Sequence, residues 1–376
     1  MIIAVNTRLL LPHKLDGIGW FTYQTLKRIT QNHPEHQFIF LFDRPFDSQF
    51  VFHSNVKPVV VSPPARHPVL WYVWLEWCLP RVLRKYKADV FVSPDGFLPL
   101  SVKIPAVTVI HDINFHHRPL DLPFTSRWYY RTFFPEFARK ATLIATVSEY
   151  SKNDIVSSYN IPPSKVDVVY NGAHECYKPL SSEEKEIVRK RYAGGSEYFV
   201  FVGSLHPRKN VDGLLKGFDK FKTDTASPFK LVIVGEKFFL NSQLEKTHQQ
   251  MKFRDDVVFT GRKEPEELSQ IVGAAWALAF VPYFEGFGIP LLEAMHCNVP
   301  SVASNVTSIP EVAGKTAVYA DPSDVNSITG GLTAMALDLE LREKLIQNCQ
   351  VQRSKFSWDT TADRLWRLVE SSFPNS

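Results

Sequence analysis

The sequence has few cysteines, no long apolar run and no low-complexity tract. The cysteines match neither a disulfide framework nor the ligand spacing of a zinc site, which is typical of a protein of the reducing cytosol. No apolar stretch approaches the roughly 20 residues of a membrane-spanning helix. Residues 1–8 do not combine a basic leader with a cleavage site, so they predict an opening strand and not a signal peptide. The four cysteines are Cys78, Cys176, Cys297 and Cys349.

The chain also lacks a strong charge of either sign. Of the 376 residues, 22% are charged and 44% are hydrophobic, and the formal net charge at pH 7 is +4. This excess is too weak to indicate a nucleic-acid partner, although it is compatible with phosphate ligands or an anionic membrane surface. A chain of this length exceeds the size of one typical core, so two domains are predicted.

Short apolar runs alternate with amphipathic segments along the chain, which predicts an α/β fold with parallel sheets. The first run, residues 2–5, precedes a loop at residues 8–19 that contains Gly17 and Gly19. A dinucleotide-binding fingerprint would need a third small residue and a shorter loop, and this segment has neither. The same plan repeats in the second half, after a predicted domain linker at residues 171–179.

A turn with two glycines, residues 285–288, stands between an apolar run at residues 274–281 and a helix that is predicted to start at Pro290. Glycines let a backbone approach a ligand closely, and the N–H groups of a helix start favour an anion. Glu285 precedes this helix and Glu293 lies one turn inside it. Carboxylates repel phosphates but accept hydrogen bonds from sugar hydroxyls, so the turn predicts a nucleotide-sugar ligand. An ordinary helix start with solvated glutamates is the alternative.

Glu285 and Glu293 enclose seven residues, and the run Glu-Gly-Phe-Gly-Ile-Pro-Leu-Leu-Glu resembles the signature of the retaining glycosyltransferases of family 4. The resemblance implies the GT-B fold, in which two Rossmann-like domains face each other across a cleft. It also implies that Glu285 is catalytic, near the donor sugar and phosphates, and that Glu293 binds the ribose hydroxyls. The other residues of this run that the resemblance assigns to the donor are Gly286, Phe287, Gly288 and Ile289.

A second loop supplies positive charge. It follows the apolar run at residues 198–202 and contains Gly203, Arg208 and Lys209. The glycine lets the backbone approach a phosphate, and the two cations neutralise it at close range. In the enzymes that the chain resembles, this Arg-Lys pair binds the donor diphosphate, which implies a binding and catalytic role for Arg208 and Lys209. A solvated basic loop is the alternative.

In the N-terminal half, His111 and Asp112 follow the predicted strand at residues 106–110, at the sheet edge where open α/β folds bind ligands. The resemblance implies that His111 is catalytic, near hydroxyls of the donor sugar, and that Asp112 supports it or contacts the acceptor. It also places Gly17 and Gly19 near the donor phosphates. The alternatives are a histidine that ends a strand and a plain flexible turn.

His116 and His117 lie close to His111 and Asp112 in the sequence, so a metal site is an alternative interpretation of this segment. The segment has no helical pair of ligands four residues apart, and the bulky Phe115 lies among the histidines. We therefore expect no metal and no other cofactor, the nucleotide-sugar being a substrate.

Two aromatic segments with adjacent basic residues lie in the N-terminal half. The first, residues 70–79, precedes a basic stretch at residues 80–87, a composition shared by interfacial membrane helices and by core helices. The second is a predicted helix at residues 125–140, with Arg127 and Arg131 one turn apart. These two arginines are predicted to contact an acceptor phosphate or a membrane, and a solvated basic face is the alternative.

The predicted domains are residues 1–175, an acceptor-side domain, and residues 176–356, a nucleotide-sugar domain. The resemblance implies that a terminal helix, residues 357–376, completes the first domain. One feature departs from the family, which often has a Gly-Gly pair near the diphosphate. This chain has Val306 and Thr307 instead, so a hydroxyl would have to substitute for the backbone contact.

The predicted function is transfer of a hexose from a nucleoside-diphosphate sugar to a hydroxyl of a glycan or lipid-linked glycan, with retained anomeric configuration. The sequence looks most like mannosyltransferases of bacterial polysaccharide assembly, which implies GDP-mannose as the donor. A lipid-linked acceptor would place the enzyme in the cytoplasm at the inner face of the membrane. The alternatives are a nucleotide-sugar 2-epimerase of the same fold and a non-catalytic sugar-binding scaffold.

Overall fold

The computed structural model describes residues 1–12, 15–236 and 242–373. Residues 374–376, at the end of the predicted terminal helix, lie outside this range. The chain divides into two compact units. Unit 1 comprises residues 1–171 and 357–376, and unit 2 comprises residues 172–356.

Unit 1 is built on a parallel sheet. Its strands, within the described ranges, are β1 (Ile2–Asn6), β2 (Gln37–Phe42), β3 (Val56–Val60), β4 (Val90–Ser93), β5 (Ala106–Val109), β6 (Leu143–Thr146) and β7 (Val166–Val168). Their order is β3-β2-β1-β4-β5-β6-β7. The runs are short, apolar and rich in β-branched and aromatic residues, as expected of strands that helices cover on both faces.

The helices of unit 1 surround this sheet. They include α1 (Gly17–Asn32), α2 (Pro68–Val73), α3 (Leu79–Lys85), α4 (Asn114–His117), α5 (Phe124–Lys140) and α6 (Glu149–Tyr159). A π-helical turn, Trp74–Cys78, joins α2 to α3. Trp74 is buried in the core, and the ring of Trp71 lies 5.2 Å from that of Tyr129 on α5. The interpretation of residues 70–79 as a core helix is therefore correct for its inner face.

Unit 2 repeats the plan. Its described strands are β8 (Tyr198–Val202), β9 (Lys230–Val234), β10 (Val257–Gly261), β11 (Ala277–Phe280), β12 (Ser301–Ser304) and β13 (Ala317–Ala320). They form a parallel sheet in the order β10-β9-β8-β11-β12-β13. The helices include α7 (Ser182–Ala193), α8 (Val211–Thr225), α9 (Ser242–Gln250), α10 (Pro265–Gly273), α11 (Ile289–His296), α12 (Ile309–Ala313), α13 (Val325–Leu337) and α14 (Leu339–Arg353).

The last helix, α15 (Trp358–Ser371), packs on unit 1. The ring of Trp366 stacks on that of His33 with 3.9 Å between centroids. Arg364 donates a hydrogen bond to the carbonyl of Val168 at 2.8 Å, and the Thr361 hydroxyl donates to the carbonyl of Tyr170. Aromatic stacking and hydrogen bonds to the end of the sheet fix this helix to unit 1.

In each sheet the strand order reverses beside the unit's first strand, between β1 and β4 in unit 1 and between β8 and β11 in unit 2. This is the doubly wound arrangement, in which ligands bind beyond the carboxyl ends of the strands at the reversal, the switch point. The predicted α/β class with two parallel sheets is confirmed, and the topology directs attention to these two edges.

Candidate active site

The switch point of unit 2 brings two distant motifs together. β8 pairs with β11, so the loops that follow these strands start side by side. The backbone N–H of Tyr283 donates to the carbonyl of Arg208 at 2.9 Å and ties the loops together. Lys209 and Glu285 are 76 residues apart in the chain and in direct contact in the fold.

The loop after β8 is anchored by one buried side chain, Asn210, which caps α8. Its side-chain oxygen accepts from the N–H of Gly213 at 3.2 Å, as is typical of an N-cap asparagine. Its amide group donates to the carbonyls of Val281 at 3.0 Å and Pro322 at 2.7 Å. The helix start and the basic turn before it are thereby attached to the end of β11.

Glu285 receives both cations on a single oxygen. Arg208 Nη1 lies 3.0 Å from Glu285 Oε1, and Lys209 Nζ donates to the same atom. Burial would raise the pKa of Glu285, but Arg208 and Lys209 outweigh it and hold this pKa below its ordinary value. The carboxylate is therefore ionised at neutral pH. An anionic ligand that reached the two cations would compete with it.

Two hydroxyls hold the backbone of Glu285. The Ser308 hydroxyl donates to the Glu285 carbonyl at 2.9 Å, and Thr307 Oγ1 accepts from the Glu285 N–H at 3.4 Å. Thr307 has φ of +57°, a left-handed conformation in which glycine is strongly favoured. The hydroxyls of this segment thus support the glutamate.

The turn that follows Glu285 has the predicted helix start, shifted by one residue. Gly288 is the N-cap of α11 with φ of +97°, Ile289 is the first helical residue and Pro290 the second. The preceding Gly286 and Phe287 are buried, and the Phe287 ring lies 5.5 Å from that of Phe356. Gly203, at the end of β8, also adopts a left-handed backbone, with φ of +148°. Both positions favour glycine for conformational reasons, independently of any ligand.

Glu293 lies one turn inside α11, and its pKa is shifted in the direction opposite to that of Glu285. Burial raises the pKa of Glu293 to about 7, and a hydrogen bond from Tyr177 opposes part of this rise. Near neutral pH this carboxyl group therefore exchanges between its acid and its carboxylate. Such a group can accept hydrogen bonds from a ligand diol, which would stabilise the charged form.

The switch point of unit 1 contains an ion pair that the sequence analysis missed. Arg8 Nε lies 2.6 Å from Asp95 Oδ2, and the two side chains are 6% and 5% exposed. The other oxygen of Asp95 accepts from Asn6 Nδ2 at 2.8 Å and from the Ser93 hydroxyl at 2.9 Å. Polar residues end both strands, Asn6 in β1 and Ser93 in β4. Because the carboxyl ends of adjacent strands meet at one edge, these residues could have indicated a polar cluster there.

His111 lies at the same edge, beyond β5. Its Nε2 donates to the carbonyl of Pro94 at 2.9 Å, and its ring meets that of Phe21 edge to face, with 4.9 Å between centroids. Burial lowers the pKa of His111, against the opposing effects of the Pro94 hydrogen bond and of nearby carboxylates. The imidazole is therefore neutral at physiological pH.

The glycines near the N-terminus lie in a helix and not in the predicted loop at residues 8–19. Gly17 and Gly19 belong to the first turn of α1, because Asp16 caps the helix by accepting from the Gly19 N–H at 2.9 Å. The sequence analysis overlooked this capping aspartate. The helix start nevertheless lies near His111, since Phe21 of α1 contacts its ring.

The predicted acceptor-side residues do not share one environment. Asp112 accepts from the backbone and the side chain of Asn114, at 2.9 Å and 2.5 Å, so it fixes the turn after β5. Arg127 lies half-buried with its guanidinium 5.4 Å from the centroid of Phe124, and Arg131 is exposed. In the described ranges, no group of three His, Cys, Asp or Glu side chains could hold a metal ion.

Two protein families match most of the chain. The family described as "Glycosyltransferase Family 4" matches residues 15–175, and "Glycosyl transferases group 1" matches residues 182–352. O-antigen chain mannosyltransferase B of Escherichia coli is 31% identical over 278 residues, 74% of this chain and 73% of the relative. The chain belongs to glycosyltransferase family 4. O-antigen chain mannosyltransferase RfbU of Salmonella typhimurium is 29% identical over 69% of both chains.

Solved structures confirm the GT-B fold of this glycosyltransferase. Sucrose-phosphate synthase from Thermosynechococcus elongatus superposes with a TM-score of 0.80 at 15% identity, over 100% of both chains. HepE from Anabaena, solved in complex with UDP-glucose, gives a TM-score of 0.76 at 17% identity, over 99% of this chain and 100% of the other. Among the described helices of the glycosyltransferase, none has the length and hydropathy needed to cross a membrane.

Proposed function

We propose that this glycosyltransferase transfers mannose from GDP-mannose to a hydroxyl of a glycan or lipid-linked glycan, with retention of the anomeric configuration. The names of the two relatives, both O-antigen chain mannosyltransferases, support the mannosyl part. The observation on which the site assignment rests is the convergence of Arg208 and Lys209 on one oxygen of Glu285 at the switch point of unit 2.

In this proposal Arg208 and Lys209 bind the donor diphosphate. The diphosphate gains negative charge as the glycosidic bond breaks, and the two cations, which the fold already brings together, stabilise that charge. Removal of one such preorganised donor typically lowers kcat by about 10²- to 10³-fold. The proposal requires no resident metal or other cofactor, since side-chain cations neutralise the leaving group.

For the chemical step we propose attack from the front face. The acceptor oxygen forms a bond to the anomeric carbon as the bond to the leaving phosphate oxygen breaks, and that phosphate oxygen takes the acceptor proton. Glu285, ionised in the free protein, stabilises the positive charge that develops on the sugar ring. A covalent glycosyl adduct on Glu285, found by mass spectrometry after reaction with a slow fluorinated donor, would contradict this step.

Other side chains complete the assignment. Glu293 accepts hydrogen bonds from the ribose hydroxyls, which suits a carboxyl group with a pKa near 7. His111 accepts from a sugar hydroxyl, supported by Asp112 through the turn it fixes. The Gly19 N–H already donates to Asp16, so it is not available to a ligand. Gly17 and Gly19 contribute instead because the absence of a side chain lets a ligand approach the backbone closely.

A thermal-shift panel with GDP, GDP-mannose, UDP and UDP-glucose tests the donor. A ligand at a hundred times its Kd adds about 2.7 kcal/mol of stability. We expect a shift with the GDP compounds that is lost in Arg208→Met and kept in Lys216→Met, a cation of α8 whose Nζ lies 2.5 Å from Asp212. A shift with UDP compounds alone would overturn the mannose assignment, and no shift with any nucleotide would overturn the binding site.

The anomer formed tests retention. NMR of the product from GDP-mannose and a mannoside acceptor should show the α configuration of the donor, and a β product would contradict the proposal. Conversion of a nucleotide-sugar to its epimer without acceptor would instead indicate an epimerase.

An exposed surface of unit 1 supports a lipid-linked acceptor. Phe124 and Trp128 on α5 are 71% and 57% exposed, and Arg127 and Arg131, each three residues after one of these rings, lie on the same helix face. We call these four residues the aromatic-cationic stripe. Tyr72 of α2 is also exposed, and its ring and that of Trp128 both pack on Phe133. Aromatic rings with cationic neighbours are typical of helices that lie on an anionic lipid surface.

Vesicle co-sedimentation tests this contact. We expect the protein to bind vesicles that contain phosphatidylglycerol more than vesicles of phosphatidylcholine, and the double variant Phe124→Ser, Trp128→Ser to bind less. The matched control replaces two exposed apolar residues of unit 2, Ile187 and Val351, which are 69% and 68% exposed. Equal binding by both double variants, or no binding by the wild type, would contradict a role of the stripe.

A further inference from the structure

The carboxylate of Asp95 is held by more hydrogen bonds than its ion pair requires. Besides Arg8 it accepts from Asn6 Nδ2, from the Ser93 hydroxyl and, at 3.3 Å, from the backbone N–H of Phe97. The Arg8 guanidinium also lies over the Phe97 ring, 4.1 Å from its centroid. A buried carboxylate with this many donors has a fixed position in the fold, because any movement would leave buried donors without a hydrogen-bond partner.

The fixed position of Asp95 in turn immobilises Pro94. The proline stands between Ser93 and Asp95, whose side chains bond to each other, and its own ring restricts φ. The following Gly96 has φ of +88°, and a Cβ atom there would lie 2.9 Å from Phe134. The segment therefore has one well-defined conformation, and the carbonyl of Pro94 points at Nε2 of His111 at 2.9 Å.

A carbonyl oxygen accepts hydrogen bonds and cannot donate them, so it fixes which nitrogen of a neutral imidazole bears the proton. Nε2 of His111 donates to Pro94, which leaves Nδ1 with the lone pair. The Phe21 ring, nearly perpendicular to the imidazole with 4.9 Å between centroids, then limits its rotation. The ring is fixed in tautomer and in orientation by groups from three segments: β4 and its loop, α1 and β5.

We infer that Asp95 and Arg8 are positioning residues that hold His111 in the Nε2–H tautomer, so that Nδ1 is the atom that accepts a hydrogen bond from a sugar hydroxyl. The inference rests on the proposed function for the sugar contact, but its structural half concerns unit 1 alone. Asp95 acts on His111 through the Pro94 carbonyl and needs no contact with substrate.

The tautomer is directly measurable. In two-bond ¹H–¹⁵N correlation spectra of the ¹⁵N-histidine-labelled full chain, neutral Nε2–H and Nδ1–H imidazoles give distinct nitrogen shifts, and His111→Gln assigns the signal by its loss. We expect a single Nε2–H species for wild-type His111 at pH 7. An Nδ1–H species, or a fast mixture of the two, would overturn the inference whatever the donor sugar is.

The variant Asp95→Asn tests the positioning role. We expect the Nδ1–H species of His111 to become populated and kcat/KM to fall by up to about 100-fold, the scale of a small misplacement in an active site. The matched control is Lys222→Met, which removes another buried cation, 2.8 Å from Asp256 in unit 2. The control should lower the Tm without altering the His111 signals. Unchanged His111 signals in Asp95→Asn would overturn the positioning role.

Two substitutions at His111 decide which nitrogen is used, even where Asp95→Asn does not fold. An asparagine amide can occupy the place of Nδ1, whereas a glutamine amide can reach the place of Nε2. We expect His111→Asn to retain more kcat/KM than His111→Gln, because the first variant keeps an acceptor at the Nδ1 position. The reverse order would overturn the assignment of Nδ1. Full transfer activity in both variants, with the predicted wild-type tautomer, would overturn the sugar contact and leave the tautomer assignment intact.

Discussion

The two switch points share a topology and differ in how they use an arginine–carboxylate pair. In unit 1, Arg8 and Asp95 are both almost fully buried, and further donors satisfy the carboxylate. In unit 2, Arg208 is 22% exposed, and it shares one oxygen of Glu285 with Lys209. The Arg8–Asp95 pair is buried within its sheet edge, whereas the Arg208–Glu285 pair has a partly exposed cation that a ligand can reach.

This difference shows how one fold feature serves two purposes. A carboxylate whose oxygens are all engaged keeps its neighbours in place and offers an incoming anion nothing to exchange. Two cations that converge on one carboxylate oxygen can accept a diphosphate as an alternative partner, because charge-assisted hydrogen bonds to phosphate are as strong as those to carboxylate. We therefore propose that the edge of unit 1 positions its side chains and that the edge of unit 2 binds an anion.

The same substitution at the two arginines should have opposite signatures, and this is the largest effect we expect. Arg8→Met leaves Asp95 buried without its cation, which typically costs about 3–5 kcal/mol of the free energy of unfolding. Arg208→Met leaves the buried Glu285 still paired with Lys209, so the protein loses one charged hydrogen bond, which typically costs about 1.5–3 kcal/mol. Urea unfolding measures the first effect, and calorimetric titration with GDP should show weakened binding in the second. Equal destabilisation by both variants would contradict the proposed difference between the two arginine–carboxylate pairs.

Neutralising Glu285 should separate binding from catalysis. In Glu285→Gln the amide competes less for Arg208 and Lys209, so we expect GDP to bind about tenfold more tightly, the equivalent of one charged hydrogen bond. Loss of the carboxylate from the reacting centre should lower kcat by about 100-fold. Titration calorimetry and initial rates measure the two effects. The exposed Glu266 provides a control, since Glu266→Gln should change neither. Weaker GDP binding in Glu285→Gln would show that the carboxylate does not compete with the diphosphate.

The sequence predicted the strands and the unit 2 motif because their signals are local. Apolar runs such as residues 38–42 predict strands, and a glycine turn before a helix predicts a site that favours anions. The pairing of Arg8 with Asp95 spans 87 residues and depends on β1 lying beside β4, which no local pattern states. The contact of Tyr177 with Glu293, which joins the segment before α7 to α11, depends on tertiary structure in the same way.

Unit 2 contains a second carboxyl group whose charge state differs from that of Glu285, and pH should reveal it. Glu293 has a pKa near 7 in the fold, against an ordinary value of 4.5. Its effect on stability is therefore fully favourable below about pH 4.5 and is lost as pH rises through 7. Glu293→Gln should raise the Tm relative to wild type at pH 8 and not at pH 4.5.

Nucleotide binding should also depend on the titration of Glu293. Stability favours the protonated group, whereas GDP binding should favour the ionised one. If ribose hydroxyls donate to the Glu293 carboxylate, GDP affinity of the wild type falls as pH drops below 7, and Glu293→Gln binds weakly at every pH. The Glu285 site stays ionised over this range, so Glu285→Gln should keep the pH dependence. A wild-type affinity that is flat between pH 5.5 and 8 would contradict the assignment of Glu293 to the ribose.

The smallest effect that we expect concerns Thr307, which supports the backbone of Glu285. Two variants at this position separate the cost of backbone strain from the benefit of the hydrogen bond. Thr307 has φ of +57° and accepts a long hydrogen bond, 3.4 Å, from the Glu285 N–H. A left-handed β-branched residue costs about 1–2 kcal/mol, so Thr307→Gly should stabilise the protein by about 1 kcal/mol, measured by urea unfolding. Thr307→Ala keeps the Cβ atom and removes the hydroxyl, and it should give no such gain. If both variants lower kcat equally, the hydroxyl matters for Glu285; if neither does, the Ser308 hydrogen bond to the Glu285 carbonyl suffices to hold this residue in place.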